Sequence, residues 1–522
     1  MTKRLILALL IAVGISSFAQ EEPHSLQEGR LVFAVISDTH VGNTCGAGYK
    51  VKISQALRHL TGRGKLDVLA VVGDLTENGR YNEYKEFAQL FGSRQNILHP
   101  VDHFLLMMGN HDNYDASGQE YFKSTLKMLS KTPTRGAASA EWSQLQFCRV
   151  ATREEQSSNS YPLHQYVLIK GYPFIAISDL SSANNDIYDA DNGSRSYPAA
   201  TVLTLVSYLE QAAKDAPGKP IFVFTHVPPR WTCYGTWAEF ENEAWAMTVL
   251  NSVLNCYPQA VVFCGHSHYP LGDPRSIHQG TNPNSVHNNF YTVINTSSTT
   301  YSEINTGAVD AGIHPENYDY VTEGMIVQEL PNGDIEIRRY DTYRDVEIDP
   351  EHRWVLKAPF DGSQFEYADI RDADDNPNHI ILRDGLPAPT FDAGAQLMLN
   401  LRRSKVQVTF PQATDNECVF RYNIRILKGE KEVRSAFVFS QFYLTIDTPT
   451  QLSCTISGLE PETEYKVEVT AYDSYDNKSA ALTATFTTEA FNNWQYYSLN
   501  GLRRDSLEQG INIVNGKKII KQ

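Results

Sequence analysis

The sequence predicts an α/β layered fold followed by an all-β sandwich, and three observations carry that prediction. From residue 30 to about 345, short apolar runs rich in β-branched and aromatic residues alternate with stretches of helical spacing, as strands and helices in layers do. From 387 to 489 the helical period is lost, and only short alternating runs with turns between them remain. Residues 346–386 carry scattered Pro, Asp and Gly with weak periodicity, so they read as a connecting segment.

Taken in order, the first region places strands at 31–37, 68–73, 103–109, 174–179, 221–226 and 261–265, each bounded by turn residues. Helical spacing lies between them at 54–63, 81–92, 199–215 and 237–255. The runs 325–330 and 334–340, joined by Pro331, Asn332 and Gly333, predict a hairpin that closes the region. Residues 113–164 show no clear strand pattern and are expected to be an insertion near the site. In the second region, strands are expected at 406–410, 420–426, 455–459, 465–472 and 481–488. Residues 490–522 carry Gly516-Lys517-Lys518-Ile519-Ile520-Lys521 just before the final Gln522. They resemble the short C-terminal sorting segments of some exported bacterial proteins, and equally suit a final β-hairpin packed on the sandwich.

At 522 residues the chain is too long for one ordinary core, and two or three domains are expected. Its 42% hydrophobic and 20% charged residues are a globular composition, which argues against wholesale disorder. A net charge of −16 without a dense Lys/Arg block argues against a standing nucleic-acid partner. An acidic protein still binds phosphate esters where metal ions supply local positive charge. Lys3 and Arg4 precede the apolar run 5–13 and the small residues Ser16, Ser17 and Ala19, the layout of a signal peptide over 1–19. That run is shorter than the roughly 20 apolar residues of a membrane-spanning helix, and no later stretch reaches such a length. Export to a periplasmic, cell-surface or secreted location is therefore expected, with no transmembrane span. Seven cysteines in an exported chain leave at least one unpaired. Cys264 reads as a buried structural thiol, and Cys418 and Cys454 could pair if geometry allows.

The chemistry lies in five short stretches: Asp38-Thr39-His40, Gly73-Asp74, Gly109-Asn110-His111-Asp112, Thr225-His226 and Gly265-His266-Ser267-His268. Each follows an apolar run, so each is expected where a strand ends, which is where layered α/β folds bind ligands. Two divalent ions about 3.5–4 Å apart need ligands from several strands and one carboxylate between them. Asp38 and His40 lie two apart, which on an extended strand end points both side chains the same way and suits one metal. Asp74 is the natural bridging carboxylate. Asn110 offers a neutral carbonyl oxygen, and His226, His266 and His268 offer imidazoles. Singly, each stretch has a plainer explanation: Gly-Asp is a common turn pair, and an isolated histidine is more often hydrogen-bonded than a ligand. Their coincidence in one order at strand ends favours the metal site.

Together, D-x-H, G-D, G-N-H-D, a lone H and G-H-x-H resemble the calcineurin-like metallophosphoesterase superfamily over roughly residues 30–345. The resemblance implies a four-layer α/β/β/α sandwich. It implies one metal on Asp38, His40, Asp74 and His268, and a second on Asp74, Asn110, His226 and His266. It makes His111 the histidine that faces the substrate phosphate, with Asp112 as its orienting partner. Mixed nitrogen and oxygen ligands suit Mn, Fe, Zn or Co. Purple acid phosphatases have Gly in place of His40 and Tyr in place of Glu77, which argues against an iron–tyrosinate centre here. The stretch 73–79 looks closer to the phosphodiesterase-like branch. Further along, Gly458-Leu459-Glu460-Pro461-Glu462-Thr463-Glu464-Tyr465, followed by Val467, Val469 and Ala471, resembles the fibronectin type III pattern, an immunoglobulin-like sandwich over 387–489. Tyr465 would be its corner tyrosine.

These residues imply an exported hydrolase of small-molecule phosphomonoesters or phosphodiesters. Two cations acidify a water between them, so that hydroxide attacks phosphorus in line while the metals and His111 stabilise the phosphate oxygens. His111 is also placed to protonate the leaving alkoxide. Asn43 and Arg230 are candidate substrate contacts, Arg230 as a phosphate clamp, although a surface arginine on a proline-rich loop is its plainer alternative. Tyr114 and Asp115, just past Asp112, are further candidates. The competing function is a non-catalytic surface-binding protein on the same scaffold, with the C-terminal sandwich contacting a surface or glycan. The sandwich holds no catalytic constellation and reads as a spacer or contact module.

Overall fold

The computed structural model describes residues 29–43, 48–91, 101–130, 146–147, 163–180, 188–189, 194–195, 197–236, 249–280, 289–304, 314–367, 371–372, 376–380, 387–402, 404–489, 496–499, 503–504, 509–514 and 517–521. The expected signal peptide lies outside them.

The chain runs through β1 (Val32–Ile36), α1 (Tyr49–Gly62), β2 (Leu66–Val72), α2 (Tyr81–Phe91), β3 (Val101–Met107), α3 (Gly118–Ser130) and the short β4 (Gln146–Phe147). The antiparallel pair β5 (Gln165–Ile169) and β6 (Tyr172–Ile177) follows, then a two-residue ladder of β7 (Tyr188–Asp189) with β8 (Ser194–Arg195). Next come α4 (Ala199–Asp215), β9 (Ile221–Thr225), α5 (Val249–Leu254), β10 (Ala260–Cys264), β11 (Ile277–Gln279) and β12 (Thr292–Asn295). The return is antiparallel: β13 (Glu323–Glu329), β14 (Ile335–Asp341), β15 (Val346–Ile348) and β16 (Trp354–Leu356).

Two sheets result. One has the order β15-β14-β13-β1-β2-β3-β4, with β16 also on β14, and the other β11-β12-β10-β9-β6-β5. β1, β2, β9 and β10 are buried at every position, as strands covered on both faces must be. Phe33 of β1 sits between the sheets, its ring edge-on to Phe174, Phe222 and Phe263 at 4.9–5.9 Å. Burying one such ring fully contributes roughly 1.5–3 kcal/mol. On the outer face of the first sheet, Leu57, Leu60, Tyr84, Phe87 and Phe122 from α1, α2 and α3 cover Ala34, Leu69 and Leu106. On the outer face of the second, Leu205, Leu209, Leu250 and Leu254 from α4 and α5 cover Ile175, Val223 and Val262. The architecture is the four-layer α/β/β/α sandwich.

The strands expected in the first region appear within two residues of their places, α4 spans 199–215 as expected, and in the second region the strand expected at 455–459 runs instead over Gln451–Ser457. The expected helix over 237–255 is described only at Val249–Leu254, the rest lying outside the described residues. Within 113–164, where no strand pattern is expected, the described residues form the helix α3 and the two-residue β4. Residues 346–356, read as the start of a connector, instead add β15 and β16 to the first sheet, where Trp354 and Leu356 cap the inter-sheet core.

After a short ladder of β17 (Arg371–Asp372) with β18 (Asn376–Ile380), seven strands build the second unit. They are β19 (Met398–Arg402), β20 (Lys405–Pro411), β21 (Val419–Lys428), β22 (Lys431–Phe439), β23 (Gln451–Ser457), β24 (Glu464–Asp473) and β25 (Leu482–Thr487). Sheets β19-β20-β23 and β22-β21-β24-β25 enclose Val406, Val408, Tyr422, Ile424, Val467 and Val469. The backbone N–H of Glu460 donates to Tyr465 Oη at 3.0 Å, so Tyr465 does form the corner. β22 was not legible in the sequence because it is largely exposed and lacks a buried alternate face. Cys418 and Cys454 are free thiols, not a disulfide. The tail forms its own sheet from β26 (Tyr496–Tyr497), β27 (Arg503–Arg504), β28 (Gly510–Val514) and β29 (Lys517–Lys521), in the order β27-β26-β28-β29. Among the described residues no helix is long and apolar enough to cross a membrane.

The sandwich is docked on the α/β unit. Tyr234, Tyr269, Ile304 and Val321 pack against Phe420, Phe442 and Tyr443. Beneath them Arg275 pairs with the buried Asp273 at 2.8 Å and lies over the rings of Tyr234 and Phe420. Ser474 of the sandwich donates to the same Asp273 carboxylate at 2.8 Å.

Candidate metal centre

All five motif stretches follow strand ends on one edge of the two sheets. β1, β2, β3, β9 and β10 deliver Asp38, Asp74, Asn110, His226 and His266 respectively, each one to three residues past the last strand residue. Asp38 and His40 converge for a reason other than the one expected. The strand stops at Ile36, and both residues take left-handed φ angles, 52° and 40°. Asp74 (45°), His266 (68°) and His268 (49°) do the same. Such conformations are costly for side chains with a Cβ and cluster where a site requires them. Gly73 and Gly109 let the strands close on each other. A Cβ at Gly73 would stand 2.5 Å from His226 Nδ1, and one at Gly109 would overlap the Asp74 carboxylate.

The resulting cluster is tight and buried. His268 Nε2 lies 3.0 Å from Asp38 Oδ1 and 3.1 Å from His40 Nε2. His40 Nε2 is 3.7 Å from both Asp38 Oδ1 and Asp74 Oδ2. His226 Nε2 stands 3.1 Å from Asp74 Oδ2, and the His226 and His266 rings are 5.2 Å apart. Asn110 Oδ1 is buried nearby without a hydrogen bond. Three sets could each hold an ion: Asp38 with His40 and His268; His40 with Asp74 and His111; Asp74 with His226 and His266.

The donor set fits a metal on two grounds. First, the outer hydrogen bonds turn lone pairs inward. His226 Nδ1–H donates to Val72 O at 2.8 Å and His40 Nδ1–H to Glu77 Oε2 at 2.8 Å, leaving both Nε2 atoms to face the carboxylates. Second, Asp38 and Asp74 place negative charge where no water reaches, which calls for a cation. Burial opposes charge on His40 and His226, yet Asp38, Glu77 and Asp74 lift His40 well above its ordinary value, and Asp74 and Asp38 push His226 up to about 9. Burial also opposes ionisation of Asp38 and Asp74, but the surrounding histidines hold both carboxyls well below the usual range. The centre is an anionic pocket walled by imidazoles.

His111 sits at the rim, its ring 4.7 Å from that of His40, and its main-chain N–H donates to Asp74 Oδ1 at 2.9 Å. Its ring is oriented by the Glu77 carbonyl, which Nδ1–H reaches at 2.8 Å. Asp112 is not that orienting partner. Its carboxylate accepts from the N–H groups of Leu75, Thr76 and Gly109 and from Thr76 Oγ1, at 2.7–3.0 Å, tying the loop after β3 to the loop after β2. Burial, then the charge of Asp74, pushes its carboxyl up to about 7. Tyr114 packs on His111, ring to ring at 4.5 Å. Asn43 is buried next to His40, whose carbonyl its N–H reaches at 3.0 Å. Arg230 lies over the ring of Trp231 at 4.9 Å, and its carbonyl accepts from Asn251 and Asn289.

Sequence reasoning missed several supports. Glu77, which stands where purple acid phosphatases have a tyrosine, holds both His40 and His111. The run Thr296-Ser297-Ser298-Thr299-Thr300 after β12 braces the first motif: Ser298 and Thr300 donate to Asp38 O, and Thr299 to Ser37 O. Its only signal was five consecutive hydroxyl residues after an apolar strand.

Residues 31–270 match the family model of calcineurin-like phosphoesterase, and residues 392–485 that of the ILCR1 Ig-like domain. No curated protein matches the chain. Among solved structures, the purple acid phosphatase PPD1 from yellow lupin (Lupinus luteus) seeds is 11% identical, with 63% of this chain and 54% of that one covered and a TM-score of 0.38. PhoD is 10% identical, with 63% and 68% covered and a TM-score of 0.36. The fn3 domain of human collagen alpha-1(XX) chain is 20% identical, with 21% and 91% covered and a TM-score of 0.16. By that family match and the four-layer fold that carries it, the α/β part of this chain is a calcineurin-like metallophosphoesterase domain, and the part that follows is an immunoglobulin-like β-sandwich.

Proposed function

We propose that the protein is an exported phosphoesterase that hydrolyses phosphomonoesters or phosphodiesters at a centre for two divalent ions. The observation that carries this reading is the convergence of Asp38, His40, Asp74, His226, His266 and His268 in one cluster, buried except for the half-buried His266, with His111 at its rim. Asp38, His40, Asp74 and His268 would hold one ion, and Asp74, Asn110, His226 and His266 the other. Bound there, the ions would supply the positive charge that the acidic chain lacks and would acidify water near neutral pH.

The chain's own residues do the rest. Val72 O and Glu77 fix the tautomers of His226 and His40, so that their Nε2 atoms stay available as ligands. Glu77 O holds His111 Nδ1–H, so His111 meets a substrate through Nε2. From there it can donate to a phosphate oxygen and pass that proton to a leaving alkoxide when the ring is doubly protonated, a form that burial of the ring disfavours and the Asp74 charge favours. Burial of the cluster keeps bulk water away from these contacts, which strengthens them.

The test is hydrolysis of p-nitrophenyl phosphate and bis-p-nitrophenyl phosphate by the metal-stripped and the metal-loaded protein. Metal-dependent turnover of either ester supports the reading. Silence on both with ions bound would instead support a binding protein on a phosphoesterase scaffold.

A further inference from the structure

A second cluster of titratable and aromatic side chains lies against the centre on its His268 side. Tyr301, 8% exposed, packs its ring 4.4 Å from that of His268 and 5.5 Å from that of His40. His314 stands edge-on to Tyr301 at 5.3 Å and stacks on Tyr318 at 4.3 Å. His314 Nε2–H donates to Glu303 Oε1 at 2.9 Å, and the Glu303 main-chain N–H donates to His268 O at 3.0 Å. The order outward from the centre is therefore ligand histidine, tyrosine ring, surface imidazole.

Packing alone does not account for this arrangement. The His314 side chain is 35% exposed, yet it is fixed by a carboxylate, a stacked ring and an edge contact. A carboxylate that holds one imidazole nitrogen orients the ring and leaves the other, here Nδ1, for an outside partner. The segment is also braced from behind by the sandwich. Tyr443 Oη donates to Glu316 O at 2.7 Å, and Gln441 exchanges side-chain hydrogen bonds with Glu316 and Asn317 at 3.2 and 3.1 Å. His314 thus stands on a supported wall.

Resting on the phosphoesterase reading above, we propose that Tyr301, Glu303 and His314 form a leaving-group subsite, in which His314 Nδ1 hydrogen-bonds a polar group carried by the alcohol that leaves. His111 packs on His40 and carries Tyr114 on its own ring, while Tyr301 lies against both His40 and His268. In this proposal His111 meets the phosphate and His314 meets the leaving group. The chemistry selects phosphate esters of polyhydroxy alcohols, such as glycerol, a sugar or a nucleoside, over plain aryl esters. The imidazole reads the hydroxyls of such alcohols, seated on the buried Tyr301 ring that separates it from His268.

The experiment compares kcat/KM on glyceryl and phenyl phosphates, each as monoester and as methyl diester, for the full wild-type chain, His314→Ala and Glu303→Gln. Manganese affinity is titrated calorimetrically for each. The expected result for His314→Ala is a loss of tenfold or more on the glyceryl esters, a change within twofold on the phenyl esters, and unchanged manganese affinity. Glu303→Gln should shift the same ratio in the same direction by less. An equal loss on both classes, no loss on either, or weakened manganese binding by His314→Ala overturns the proposal. A wild type that hydrolyses none of the four esters with metal bound overturns the phosphoesterase reading and this one together. An active wild type indifferent to His314→Ala overturns this one alone.

Discussion

His40 and Glu77 are joined by a 2.8 Å hydrogen bond between Nδ1 and Oε2, and the Glu77 backbone carbonyl holds His111 Nδ1 at the same distance. One residue thus orients a candidate ligand and the rim histidine. Glu77 is only partly exposed, and its carboxylate makes the His40 ring more electron-rich toward a cation. Glu77→Gln keeps the shape but removes the charge. We expect manganese or zinc affinity to fall about 10–100-fold, the usual effect of losing such an outer partner, with the circular-dichroism spectrum unchanged. Wild-type affinity in a calorimetric titration would show that the hydrogen bond does not tune the centre.

Asp74 and His111 have different duties and should fail differently. Asp74 lies between the two candidate ion positions, 3.7 Å from His40 Nε2 and 3.1 Å from His226 Nε2, and it also accepts the His111 N–H. Asp74→Asn should lower both metal content and turnover. His111→Ala leaves both proposed ligand sets, Asp38, His40, Asp74 and His268 and Asp74, Asn110, His226 and His266, in place and should keep metal content while turnover falls by about 10²–10³-fold, the range for loss of one donor to a developing oxyanion. Metal analysis beside a rate assay separates them. Wild-type-like turnover in His111→Ala would refute its role.

The docking of the sandwich rests on a charge pair that water barely reaches. Asp273 takes hydrogen bonds from Arg275 N, Nε and Nη2, from Tyr269 Oη and, across the interface, from Ser474 Oγ. Removing one member of such a pair leaves an uncompensated buried charge, at a cost of roughly 3–5 kcal/mol. Asp273→Ala should therefore lower Tm strongly. The double change Asp273→Leu with Arg275→Leu should recover much of the loss, because no lone charge remains. If the double variant melts no higher than Asp273→Ala, the loss comes from packing instead.

The parts legible in the sequence were those fixed by strong local rules. β1 and β10 are apolar throughout, and β2 and β9 apart from Asp67 and Thr225, because both their faces are covered, and the five motif stretches stand out because few residue types can bind metals. What was hidden has no local signature. The left-handed φ angles that turn Asp38 and His40 inward belong to residues that usually avoid them, so an extended strand end was the natural expectation. Asp112 lies beside His111 in sequence, yet its side chain turns to the loop after β2. Asp273 and Ser474 meet across 201 residues, and nothing near either one announces it.

Glu323 of β13 gives a prediction in pH. Its Oε2 accepts the Leu271 N–H at 2.8 Å in a region without solvent, and burial, assisted by Asp341, pushes its carboxyl up to about 8. An unfolded chain ionises the same group near 4.5. Between these values the folded state holds the proton more tightly than the unfolded state, so stability must fall as pH rises. The penalty is absent below about pH 4.5 and complete above about 8. Glu323→Gln mimics the protonated acid and keeps an acceptor for Leu271, so it should remove this slope. Melting curves at pH 5, 7 and 9 should show a variant close to wild type at pH 5 and progressively more stable than it at 7 and 9. A Tm difference that stays constant across the three would mean that Glu323 carries no excess proton in the folded protein.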